Sequence, residues 1–167
     1  MMRTTILVTI VYIVTAGTGS ALASDGKTTS QDIIRAVSGF LEHFTEQQEA
    51  QGYQVDYTTG SVDSRIALAP CPGGPAVDFH TEPMETTRPT LLVSCDGKRP
   101  WKMYVTASVE ITGEAVVAAR PIGRGERLAV NMLSTQPVLL NERRKQAVSD
   151  PQRVVGMEAR RPISPGG

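Results

Sequence analysis

Aromatic side chains make up only 5% of the 167 residues, with a single tryptophan. A platform that binds bases or sugars by stacking needs more of them, so none is expected. Net charge is also missing, because 17 Lys and Arg are balanced by 17 Asp and Glu. A dedicated nucleic-acid binder carries a basic excess, and no nucleic-acid partner is expected here. The chain has no GxSxG nucleophile elbow, no HExxH pair and no phosphate loop ending in Gly-Lys-Ser/Thr. Gly123-Arg124-Gly125 lacks the third glycine of a dinucleotide fingerprint and reads as a turn. The two histidines sit beside carboxylates, His43 near Glu42 and Glu46, and His80 near Asp78 and Glu82. On polar surfaces such neighbours are solvated ion pairs rather than acid–base machinery. No catalytic residue, metal ligand or cofactor is expected, and the chain reads as a non-enzyme.

What is present starts with an export signal. Arg3 precedes an apolar run from Ile6 to Ala16, and Ala21-Leu22-Ala23 supplies the small-x-small pattern for cleavage before Ser24. The run falls short of the roughly 20 residues a membrane span needs, so no stable anchor is expected after cleavage. Export gives the cysteines a meaning. Cys71 and Cys95 are the only two, and a bridge between them suits an oxidising compartment. In the chain-entropy model that bridge is worth about 3.5 kcal/mol. A zinc site from Cys71, His80, Cys95 and His43 lacks any paired ligand spacing, and two free buried thiols are the remaining reading. The disulfide is favoured.

Glycine (15) and proline (11) are plentiful, which predicts turns and short strands. Thr29-x-x-Asp32 forms a capping-box pattern, followed by Ile33, Ile34, Val37, Phe40, Leu41 and Phe44 at helical spacing. That helix should end before Gly52. Tyr53, Val55 and Tyr57 alternate as a strand, Thr59-Gly60 reads as a turn, and Val62, Ile66 and Leu68 as the hairpin partner. The proline-rich stretch 72–89 reads as an irregular loop, and Leu91-Leu92-Val93 as a strand before the turn Asp96-Gly97. From Trp101 to Ile111 apolar and polar residues alternate strictly, which predicts a long half-buried antiparallel strand. Gly113 is expected to turn it, so that Ala115 to Ala119 run back alongside. Short elements follow: 122–128, a turn at 131–133, 137–140 and 154–157. No internal repeat or low-complexity tract is expected.

The charge balance is a cancellation. Residues 24–100 hold 11 acidic and 6 basic side chains, and residues 101–167 hold 6 acidic and 10 basic. A basic second half can mark an anionic partner, although such a bias is commonly a solvated face.

Taken in order, several segments resemble the flagellar basal-body P-ring formation family, whose members are periplasmic assembly chaperones. They are Ile33-Ile34-Arg35-Ala36, Gly52-Tyr53-Gln54-Val55, Cys71, Ser94-Cys95-Asp96-Gly97 and Pro100-Trp101. Val116 to Ile122 with Gly125, Leu128 with Met132-Leu133, Val154-Val155-Gly156 and Ala159 to Ile163 with Gly166 continue the match. The resemblance implies an α+β protein: a signal peptide (1–23), a helix-plus-antiparallel-sheet domain (24–118) and an all-β, β-clip domain of the antifreeze-like (SAF) type (119–167). It implies the flagellar P-ring subunit as partner, the periplasm as location, and no cofactor. The family continues beyond the Arg-Pro-Ile-x-x-Gly segment, so the β-clip domain is expected to be incomplete at Pro165-Gly166-Gly167. Arg120, Arg124 and Arg127 near the interdomain turn, and Arg160 and Arg161 near the open end, are candidate partner contacts. An exported β-clip module for a small ligand or carbohydrate is the alternative.

Overall fold

The computed structural model describes residues 26–142 and 147–167. The expected cleavage site at Ala21, Ala23 and Ser24 lies outside them. The chain is α+β, one helix with antiparallel sheets.

Strand β1 (Thr28–Thr29) leads into helix α1 (Ser30–Glu49). The capping box forms as expected. The Thr29 hydroxyl accepts from the Asp32 N–H, and the Asp32 carboxylate accepts from the Thr29 N–H at 2.9 Å. These bonds satisfy amides that a helix start leaves without partners. They and the Arg35 guanidinium hold the Asp32 carboxyl below its ordinary value of 3.8. Ile33, Val37 and Leu41 recur on one face and are fully buried.

Strands β2 (Gln54–Thr59), β3 (Ala67–Leu68), β4 (Ala76–Phe79), β5 (Thr90–Cys95), β6 (Trp101–Ala118) and β7 (Leu133–Leu139) follow. The main sheet has the order β2-β6-β5-β4, with β7 also on β6. Its spine is β6, whose 18 residues span about 60 Å. Odd-numbered residues of β6 from Val105 to Ile111 face α1 and join Leu91, Val93 and Val55 in one buried cluster. The alternation read in the sequence is therefore the core face of the sheet.

Four expectations are corrected. The partner of β2 is β6, in register Val55↔Ile111 and Tyr57↔Val109, while β3 pairs with β1. Residues 60–66 cannot double back on β2, because Gly60 packs against the β6 backbone: its N–H donates to the Thr106 carbonyl at 2.9 Å, and a Cβ there would collide with that oxygen. Within the stretch expected to be irregular, β4 forms, because Phe79 docks edge-on between Phe40 and Phe44 with ring centroids 5.1 and 5.0 Å away. Gly113 does not turn the chain. A Cβ on it would lie 2.8 Å from the Tyr53 ring and 2.9 Å from a Leu140 methyl, so glycine admits two side chains over a continuous strand. The strand that returns is β7, in register Thr112↔Leu139 to Ala118↔Leu133, and it absorbs the separate element expected at 137–140.

β5 and β7 lie along the same edge of β6, opposite β2. Odd-numbered β6 amides point to that edge: Ala107 donates to the Pro89 carbonyl, Val109 to Thr87 and Ala119 to Met132. The gap between β5 and β7 is closed by Asn141. Its amide donates to the carbonyls of Val109 (2.7 Å), Pro83 (3.0 Å) and Thr86 (3.2 Å), and its oxygen accepts from the Ile111 N–H at 3.1 Å. Fully buried, Asn141 satisfies four backbone groups of two segments that no strand reaches.

Candidate functional site

Beyond Ala118 the chain builds a second, smaller cluster from Ala118, Ile122 and Ala159, flanked by Leu128, Met132 and Ile163. Two segments with related sequence, Ala118-Ala-Arg-Pro-Ile-Gly-Arg-Gly-Glu126 and Ala159-Arg-Arg-Pro-Ile-Ser-Pro-Gly-Gly167, form it. They pair about a local two-fold axis. Ile122 and Ile163 exchange N–H···O bonds of 3.0 and 2.9 Å. Gly125 donates to the Ala159 carbonyl at 2.8 Å, and Gly166 to the Ala118 carbonyl at 2.9 Å. Ala159 donates to the Glu126 carbonyl, and Ala118 to the Gly167 carbonyl, both at 3.0 Å. Gly125 and Gly166 both adopt positive φ, 84° and 75°, at the same point of each turn, where a side chain would be strained. A short internal repeat therefore exists where none was evident from the sequence.

Beside this cluster lies an open groove of about 540 Å³. Its floor is Ala115 to Ala118 of β6, and its walls include Val138, Leu140, Val148 and Ile163. Among the described residues Arg161 is the one charged side chain in its lining. Such a groove binds apolar groups and places one cation against whatever enters.

The five candidate arginines differ in their surroundings. Arg120 is held by Glu126, with Nη2 donating to Oε1 at 2.6 Å, and it also donates to the Pro121 carbonyl. Arg120 and the Gly123 N–H together lower the Glu126 carboxyl from its ordinary value of 4.5. Arg124 and Arg127 are exposed on the same turn, with Arg127 in a bridge to the Glu158 backbone. Arg160 is exposed beside Arg161, and only Arg161 faces the groove.

Cys71 and Cys95 are bridged, with Cα atoms 5.9 Å apart. The bridge ties the loop before β4 to the end of β5, beside Trp101, whose indole N–H donates to the Ala69 carbonyl at 3.0 Å. His43 contacts Glu46 at 3.8 Å on the exposed helix face, and the His80 ring lies 4.9 Å from Tyr104. Among the described residues no three His, Cys, Asp or Glu side chains gather as a metal site. The groove and Asn141 were the features missed from sequence, since neither belongs to a recognisable motif.

Fold and groove together define a class: a two-part β-rich module whose second part presents an open apolar surface. Family models sharpen it. Residues 33–111 match the FlgA N-terminal domain and residues 113–167 the SAF domain. The chain belongs to the FlgA family. Among solved structures it is similar to Salmonella FlgA in its closed form, at 22% identity and a TM-score of 0.55, covering 81% of this chain and 64% of that one. It is also similar to the open form, at 20% identity and a TM-score of 0.57, covering 78% and 59%. The chain thus spans less than two thirds of the length of these structures. No curated protein sequence matches it.

Proposed function

We propose that this protein is a non-catalytic periplasmic chaperone that binds the flagellar P-ring subunit before it polymerises. The observation that carries this reading is the succession of a FlgA N-terminal domain and a SAF domain along residues 33–167. A ring subunit awaiting assembly exposes surface that is later buried, and an open apolar groove is suited to covering such surface. The signal-like N-terminus and the Cys71–Cys95 bridge support export to an oxidising compartment. Among the described residues no helix is long and apolar enough to cross a membrane. In this reading residues 1–23 are removed, 24–118 form the first domain and 119–167 the β-clip part.

Arg124, Arg127, Arg160 and Arg161 are the candidate contacts, whereas Arg120 is engaged with Glu126. The decisive test is genetic. Deletion of the gene should abolish motility with P rings missing, and expression of this chain in trans should restore both. Failure to restore P rings, with the chain present in the periplasm, contradicts the proposal. In co-purification with the P-ring subunit, Arg124→Glu/Arg127→Glu should weaken capture, most at low salt, because exposed charges are screened as salt rises. Equal capture at every salt concentration removes these two arginines from the interface.

A further inference from the structure

The two halves of the disulfide sit in different surroundings. Cys95 ends β5 on the core face of the sheet, is 5% exposed, and stands opposite Trp101 in the ladder with β6. The turn that follows packs on its sulfur, since a Cβ on Gly97 would lie 3.7 Å from Cys95 Sγ and 3.8 Å from the Pro72 ring. Cys71 belongs to a strap laid over this end of the sheet. The strap is pinned up to Ala69. Leu68 pairs with Thr28, and the Ala69 carbonyl accepts from the Thr28 hydroxyl and from the Trp101 indole, each at 3.0 Å. Cys71 then opens a turn, Cys71–Gly74, in which the Gly74 N–H donates to the Cys71 carbonyl at 3.0 Å, with Gly73 and Gly74 at φ 91° and 87°. Pro72, Gly73 and Gly74 are exposed, Cys71 is partly exposed, and its sulfur lies 3.2 Å from the Gly74 carbonyl oxygen. The bridge thus joins a residue on the core face to one on a surface turn.

We infer that Cys71 is the site at which thiol–disulfide exchange enters this protein, with an external disulfide donor as the reacting group and Cys95 as the resolving cysteine. In the forming direction, the Cys71 thiolate attacks one sulfur of the donor's disulfide. An intermolecular S–S bond forms, and the donor's other sulfur leaves as a thiolate. The Cys95 thiolate then attacks Cys71 Sγ, the internal bridge forms, and the first donor sulfur leaves. The two protons of the protein thiols end on the donor's two sulfurs, and two electrons pass from protein to donor. Access decides which cysteine meets the donor, because the incoming sulfur must approach in line with the bond that breaks. Cys71 lies outside any strand, and Pro72 after it favours an extended backbone, so a donor can reach it without unpairing the sheet. Reaching Cys95 first would require β5 to leave Trp101 and β6.

The variants Cys95→Ser and Cys71→Ser each leave one cysteine, and mass spectrometry follows their mixed disulfides with two donors. One donor is oxidised glutathione, and the other is a purified dithiol oxidoreductase in its disulfide form; the larger rate constant identifies the donor the site prefers. With either donor, folded Cys95→Ser should react at least about tenfold faster than folded Cys71→Ser. In concentrated urea the two rates should converge to within about twofold. Equal rates in the folded state, or a faster Cys71→Ser, overturn the inference. Should either variant unfold, the bridged wild-type protein decides. Reduced glutathione is added, the mixture is quenched in acid, and the adduct is mapped. Glutathione should sit on Cys71 in at least about tenfold excess over Cys95. Adducts on Cys95, equal adducts, or a bridge that opens only in urea overturn the inference. It concerns the bridge alone: failure of the chaperone reading leaves it standing, and its own failure leaves that reading untouched.

Discussion

The helix-bearing region gathers ten buried apolar side chains into one cluster, whereas the region after β6 gathers three, among the described residues. Both use the same spine, since β6 carries Val105 to Ile111 into the first cluster and Ala118 into the second. In the first region α1 lies across the core face, and a disulfide ties the loop before β4 to the end of β5. In the second, no α-helix covers the sheet among the described residues, and apolar side chains of β6 and β7 line an open groove. A closed core stabilises itself, and an open apolar face lends stability to a complex. Under the proposed function, the first region serves as scaffold and the second as the surface that meets the partner.

Core truncation should separate the regions most. Leu91→Ala removes a fully buried side chain under α1 and is expected to cost about 4 kcal/mol in urea unfolding. Ile122→Ala, in the small cluster beside the groove, should cost about 2 kcal/mol, because neighbours can move into open space. Equal losses would erase the contrast. Removing the bridge with Cys71→Ser/Cys95→Ser should lower stability by about 3.5 kcal/mol. Hydrogen exchange at residues 115–118 should be unchanged in that variant wherever it remains folded, and faster exchange there with folding intact would mean that the bridge also supports the second region.

Asn141→Leu strikes the junction. It leaves three carbonyls and one amide without their partner and should cost about 3 kcal/mol. Hydrogen exchange at Val109 and Ile111 should speed up together with exchange in β7. A change confined to β7 would show that the two regions are not coupled there. Thr29→Ala should cost about 1 kcal/mol through loss of the cap. The Asp32 contribution carries a pH signature. Its carboxyl is lowered in the folded state, so its support is complete above its ordinary value of 3.8 and disappears as pH falls through the lower folded value. Acid titration of helical circular dichroism should show a smaller step in Thr29→Ala, which keeps the backbone N–H that supports Asp32, and none in Asp32→Asn.

The helix, its cap, the inner face of β6 and the cysteine pair were legible because each rests on a local pattern or on compartment chemistry. Gly113 was misread for a physical reason. Glycine serves both turns and close packing, and only the positions of Tyr53 and Leu140, distant in sequence, distinguish the two. β4 was hidden among prolines because its stabilising contact, Phe79 on Phe40 and Phe44, is also long-range. The Arg-Pro-Ile pair was visible as a family motif, but nothing in one dimension shows that its two copies face each other about an axis. Asn141 gave no signal at all: one polar residue after a strand has no pattern until its four partners are in place.

Hydrogen exchange of the full protein with and without the purified P-ring subunit tests the division of labour most directly. The account predicts slowed exchange in residues 115–118 and 133–140 on binding, with Leu91 to Cys95 unchanged. Protection confined to the helix-bearing region, with the groove exchanging as fast as in the free protein, would contradict it.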